Sequence, residues 1–163
     1  MRTLAFFAPL AAAVALAAPS FAEPASITVT LSPEVQEQAR DLGADEVQQQ
    51  ADRLTELVTR AVADTPALSG ARIELVLADV KPNRPTREQS MRNPSLDPIR
   101  SISLGGATIE GQITMADGST RPVRYDWYSN NLRDVRGYTT WGDADTAFRR
   151  LASNLADGRY ESR

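Results

Sequence analysis

On either side of Asp117-Gly118 the chain alternates apolar and polar side chains, and only one way of folding it back keeps the apolar faces together. Ala107, Ile109, Gly111, Ile113 and Met115 form one face of a first strand, and Val123, Tyr125 and Trp127 one face of a second. A two-residue Asp-Gly loop is the usual hairpin signal, but it sets Gln112 opposite Val123 and mixes the faces. A three-residue loop, Ala116-Asp117-Gly118, sets Ile109 opposite Tyr125 and Gly111 opposite Val123. Because a one-residue slip turns every side chain to the other face, the three-residue loop is predicted, with Gly118 left-handed. Tyr125 is expected to cover the gap beside Gly111.

Upstream, Ile102 and Leu104 sit at even positions, whereas the apolar face from Ile109 onward is odd, and the parity changes at Gly105-Gly106. One long strand from about Arg100 to Met115, bulged or bent at those glycines, accounts for this. Ile73 to Val80 is nearly continuously apolar, the pattern of a central strand covered on both sides. Ile27, Val29 and Leu31 alternate with Ser26, Thr28 and Thr30 as a half-buried strand.

Ser32-Pro33-Glu34 then reads as a helix start, with Ser32 as cap, and Gly43 ends or bends that helix. Asp45 and Gln48 suggest a capping box for a second helix. Its apolar stripe runs through Val47, Ala51, Leu54, Val58 and Ala61, and Thr65-Pro66 stops it. A last helix begins near Gly142-Asp143, buries Ala144, Phe148, Leu151 and Leu155, and ends before Gly158. The fold class expected is α+β, a single mixed or antiparallel sheet of about four strands with helices packed on one face.

The N-terminal residues read as an address. Arg2 precedes an apolar run from Leu4 to Ala18, too short for a stable membrane span, and small residues follow at Ser20 and Ala22. Residues 1–22 are therefore expected to be a signal peptide and residues 23–163 a single α+β domain, periplasmic and soluble after cleavage near Ala22. With no cysteine there is no thiol for a lipid anchor and no disulfide, and no transmembrane anchor is expected downstream. Hydrophobic residues at 42% and charged residues at 24% are ordinary for a globular chain. Charge is uneven: Glu23 to Val80 carries 11 acidic and 4 basic residues, Lys81 to Arg163 10 and 13. That asymmetry marks a candidate anion-facing side, while a net charge of −3 argues against nucleic acid as a partner.

The absences narrow the chemistry. With no His and no Cys there is no histidine base, thiol nucleophile or zinc site of the usual ligands, and no phosphate-binding glycine loop is present. No catalytic residue, metal ligand or cofactor is assigned. Asp143-Ala144-Asp145 looks like an acidic pair, but residues two apart at a helix start diverge, so a cap plus a dipole-compensating acid is the reading preferred. The segment from Lys81 to Pro98 is long for a connection, carries four prolines, and holds four basic residues against two acidic ones. It is read either as a solvated crossover or as a binding edge using Asn83, Arg84, Arg87 and Arg92. Among the aromatics near Arg124, Arg133 and Arg136, namely Tyr125, Trp127, Tyr128, Tyr138 and Trp141, Tyr128 is the candidate for an exposed stacking surface and Tyr125 and Trp127 for the core.

Arg72-Ile73-Glu74-Leu75-Val76-Leu77-Ala78-Asp79-Val80, Gly105-Gly106-Ala107-Thr108-Ile109-Glu110-Gly111 and Ala116-Asp117-Gly118 resemble, in layout, uncharacterised secreted proteobacterial domains of unknown function. The resemblance implies an exported, periplasmic domain and brings no catalytic residue with it. The function expected is that of a non-catalytic periplasmic protein binding another envelope component, an envelope protein, glycan or anionic ligand, through the Arg/Pro-rich segment 81–98. The alternative is a small envelope hydrolase using carboxylates.

Overall fold

A computed structural model describes residues 25–133, 135 and 139–161; residues 1–22, read above as a signal peptide, and Arg136 and Tyr138 lie outside them. The chain runs β1 (Ser26–Leu31), α1 (Pro33–Leu42), α2 (Ala44–Val62), β2 (Arg72–Lys81), α3 (Arg87–Arg92), β3 (Gly106–Thr114), β4 (Thr120–Tyr128) and α4 (Gly142–Ala156). The four strands form one sheet in the order β1-β2-β3-β4. β1 and β2 are parallel, with α1 and α2 filling the crossover such a pair needs, and the other two pairings are antiparallel. The class is α+β with a mixed sheet, as the element pattern implied.

The hairpin takes the three-residue loop. Ile109 faces Tyr125, Gly111 faces Val123, and Gly118 has φ +83°. Met115 N–H donates to Ser119 O at 2.8 Å, and Asp117 Oδ1 accepts from Ser119 N–H at 2.8 Å. The space beside Gly111 is filled otherwise than expected: a Cβ there would lie 2.1 Å from the Glu74 carbonyl oxygen, so it is the β2 backbone that comes close, and only glycine admits it.

Ser32 caps α1, its Oγ accepting from Val35 N–H at 3.2 Å, and Gly43 at φ +95° ends that helix and starts the next. The capping box read at Asp45 does not form. α2 already begins at Ala44 and has no side-chain cap, and Gln48 reaches forward to Asp52 Oδ1 at 3.0 Å. Val47, Ala51, Leu54 and Val58 are buried as the stripe requires, but at its end Ala61 is only half-buried and Val62 takes the buried position.

The core lies between one face of the sheet and the helices. Leu54, Val58, Phe148 and Leu151 meet Ile73, Leu75, Leu77, Ile109 and Ile113, all essentially inaccessible to solvent. Burying each such side chain stabilises the fold by about 1.5–3 kcal/mol.

Two strand expectations need correction. β2 is central, but it is covered on one face only among the described residues, and Val76 and Ala78 on the other face are half-exposed. The apolar run looked two-sided because a small and a β-branched residue tolerate partial exposure. Nor does a single strand run from Arg100: residues 101–105 are irregular, and Ile102 and Leu104 belong to the connection before β3. The ladder irregularity falls on β2, where Ala78 is the extra residue between Leu77 and Asp79.

Candidate functional site

The connection from β2 to β3 contains the short helix α3. Thr86 and Gln89 form a reciprocal capping box around α3: Thr86 Oγ1 accepts from Gln89 N–H at 3.2 Å, and Gln89 Oε1 accepts from Thr86 N–H at 3.2 Å. The Thr-x-x-Gln spacing was the sequence signal for this helix. Both ends of the connection are tied down at Asn83, which is 0% exposed. Its backbone N–H donates to Thr140 O at 2.7 Å, and its carbonyl accepts from Ser103 N–H at 2.8 Å. Its side chain completes the knot, Nδ2 donating to Ser103 O at 3.2 Å and to Asp143 Oδ2 at 2.5 Å, while Oδ1 accepts from Asp143 N–H at 2.8 Å. Gly105 lets the returning chain lie against it, since a Cβ there would stand 2.7 Å from Asn83 Nδ2.

Asn83 thereby caps α4 across the fold. The reading of Asp143 as the cap is corrected: Asp143 is buried inside the first turn, and its own N–H is the group being capped. Asn83, expected at a binding edge, is buried and ties the two ends of the connection together.

Between α1 and this connection lies a cleft of about 440 Å³, floored by Leu42, Pro82, Pro85, Leu96, Ile102 and Leu104, with Lys81 and Arg84 also on its walls. The same segment holds most of the exposed large apolar side chains among the described residues: Met91 at 61%, Ile99 at 76%, Ile102 at 46% and Leu104 at 40%, with Leu132 alone lying elsewhere. Of these, Ile102 and Leu104 line the cleft itself, which makes it the candidate contact site.

The basic residues picked out in the sequence do not converge. The Arg84 guanidinium turns to the backbone carbonyls of Pro98 and Ile99 and braces the cleft wall. Arg92 faces α1 and its own helix, with Glu88 at 2.9 Å, Asp41 at 3.8 Å and the Arg40 carbonyl at 2.5 Å. Arg87 is exposed, and its backbone N–H donates to Glu46 Oε1 at 2.9 Å. A single anion pocket shared by the three is not formed.

Tyr128 is half-buried at the far end of the sheet's uncovered face. Its hydroxyl donates to Asp79 Oδ2 at 2.7 Å and lies 2.8 Å from Thr108 Oγ1, and the Lys81 ammonium stands 5.1 Å from its ring centre. Burial pushes the Tyr128 pKa up, and the bond to Asp79 adds to that. Burial also acts to raise Asp79, but hydrogen bonds from Tyr128 and Gln38 and the Lys81 charge outweigh it and leave its pKa lowered. The pair is a neutral donor locked onto a carboxylate, suited to holding the Ala78 bulge and unsuited to proton transfer near neutrality. Of the other aromatics, Tyr125 is buried, and Trp127 packs against the core under the Arg150 guanidinium, 4.5 Å from its ring centre.

No family model matches this sequence, and no curated protein matches it either. The layout resemblance to secreted proteobacterial domains therefore carries no family assignment, and the reading rests on the geometry.

The larger concavity, a wide groove of about 1000 Å³ beside α2 and α4, brings the carboxylates of Glu46 and Asp145 to one surface. Each of their oxygens is already engaged. Glu46 accepts from Arg87 N–H and, at 3.1 Å, from Trp141 Nε1, while Asp145 is held by Arg53 at 2.8 Å and by Arg149. These carboxylates clamp α2 to the start of α4, which is a structural use of them. No cluster of three potential metal ligands occurs among the described residues, and none of their helices is long and apolar enough to cross a membrane.

Proposed function

We propose that this chain is a non-catalytic protein of the cell envelope, exported by residues 1–22, and that it binds another envelope protein through the cleft beneath the 81–105 connection. The observation that carries this is the exposure of Ile102 and Leu104 on the wall of one concave, apolar surface, with Met91 and Ile99 exposed along the same connection, while Leu132 is the one other exposed large apolar side chain among the described residues. The ligand chemistry follows from the walls. They carry Lys81 and Arg84 and no acidic residue, so the occupant is an apolar polypeptide segment flanked by acidic residues. Asn83 and the Thr86–Gln89 box contribute by fixing the cleft before binding, which limits the ordering entropy lost on association.

The test is affinity capture from envelope extract with the wild type beside Ile102→Glu and Leu104→Glu. Both side chains are well exposed, so the substitutions should leave stability within about 0.5 kcal/mol. A protein held by the wild type and lost with both variants supports the reading. Retention by both variants, or binding to anionic lipid vesicles in place of any protein, overturns it.

A further inference from the structure

The two edges of the sheet are built differently. β4 carries Arg121, Pro122, Arg124 and Asp126, and its backbone is already partly covered, with Arg124 N–H donating to Tyr160 O at 3.0 Å. Charges, proline and a covering segment are the usual ways of blocking an edge against further pairing. β1 has none of them among the described residues: Ser26-Ile27-Thr28-Val29-Thr30-Leu31 is uncharged, proline-free and rich in β-branched residues. Its apolar row is also unfinished. Ile27, Val29 and Leu31 are only half-buried, whereas Ile73, Leu75 and Leu77 beside them on β2 are closed to solvent.

The open backbone groups can be identified. Ser26 N–H donates to Ala71 O at 2.9 Å and Ser32 N–H to Leu77 O at 3.1 Å, so the even residues of β1 turn their backbone toward β2. The odd residues Ile27, Val29 and Leu31 then turn theirs outward. Of these outward groups, the Leu31 carbonyl meets the Gln36 side chain at 3.0 Å, and it retains a second lone pair. Residue classes along Ser26-Ile27-Thr28-Val29-Thr30-Leu31-Ser32 are the same read from either end, with Val29 at the centre.

We propose that β1 is a homodimer edge, pairing antiparallel with β1 of a second copy about a two-fold axis through Val29. In that register Val29 meets the second copy's Val29, and Ile27 meets the second copy's Leu31, all outward-facing residues that exchange N–H···O=C bonds. Thr28 stands opposite the second copy's Thr30 on the uncovered face, a favourable cross-strand pair. The half-buried apolar row continues from one copy into the other and is finished by it, as a self-complementary two-fold interface requires. A single continuous sheet results, with the guarded β4 edges at its two ends.

The register makes the proposal testable at exposed positions. Protein expressed from the full sequence, its N terminus read by mass spectrometry, is followed by sedimentation velocity over a micromolar to high-micromolar series. The wild type is expected to dimerise. Thr28→Lys combined with Thr30→Lys sets lysine against lysine and should weaken the dimer at least about tenfold. Thr28→Lys combined with Thr30→Glu sets lysine against glutamate and should keep it, and circular dichroism checks that both variants remain folded. A monomeric wild type, a dimer indifferent to the double lysine, or a lysine–glutamate variant as weak as the double lysine each overturns the proposal.

Discussion

At the scale of single residues, Asn83 does the most. An Asn in a proline-rich, basic stretch reads as polar loop, and a binding role is the natural expectation. Its burial is set by partners far along the chain, Ser103, Thr140 and Asp143, and no local pattern announces them. Truncating it strands Asp143 N–H, the Asp143 carboxylate and the Ser103 carbonyl, which are expensive to leave unpaired. Asn83→Ala is expected to cost about 3 kcal/mol in urea unfolding and to speed amide exchange across residues 101–105. A loss below about 0.5 kcal/mol, the range of an ordinary surface change, would show that the knot holds nothing. Tyr128 illustrates the same blindness, since its bond to Asp79 depends on a bulge at Ala78 that neither strand's alternation reveals.

At the scale of elements, what could be read was whatever depends on local periodicity. The hairpin register followed from parity alone, and the stripes of α2 and α4 followed from their spacing. The misreadings fell where two local signals competed. Asp45-Gln48 and Thr86-Gln89 have the same capping spacing, and only the second forms, because Gly43 had already started α2 upstream of Asp45. Ile102 and Leu104 were assigned to a strand because alternation there is genuine, yet with no partner strand the two side chains serve the cleft instead. The glycines of the hairpin separate backbone strain from steric collision. Gly118 has open space around it and a left-handed backbone, so Gly118→Ala should cost about 1 kcal/mol, all of it conformational. Gly111→Ala must in addition push the β2 backbone away and should cost clearly more. Thermal or urea unfolding of the pair checks the order; equal losses would mean that β3 does not approach β2 as described.

At the scale of the whole molecule, a well-filled core under one face of the sheet leaves the exposed large apolar side chains of the described residues mainly along the 81–105 connection. The sequence located that segment by its prolines and its charge, but it pointed to the arginines as the binding groups. In the fold Arg84 and Arg92 brace the connection, and in the function proposed the contact surface passes to Ile102 and Leu104. Under the function proposed, recognition falls to this apolar cleft, while the Glu46 and Asp145 carboxylates of the larger groove are tied to donors that hold helices together. The most direct measurement is photo-crosslinking in living cells, with the crosslinking amino acid placed at position 102 in the cleft or at position 110 on the uncovered sheet face. A discrete protein adduct from position 102 that is absent from position 110 is the predicted result; adducts from both alike, or from neither, would contradict a partner held in the cleft.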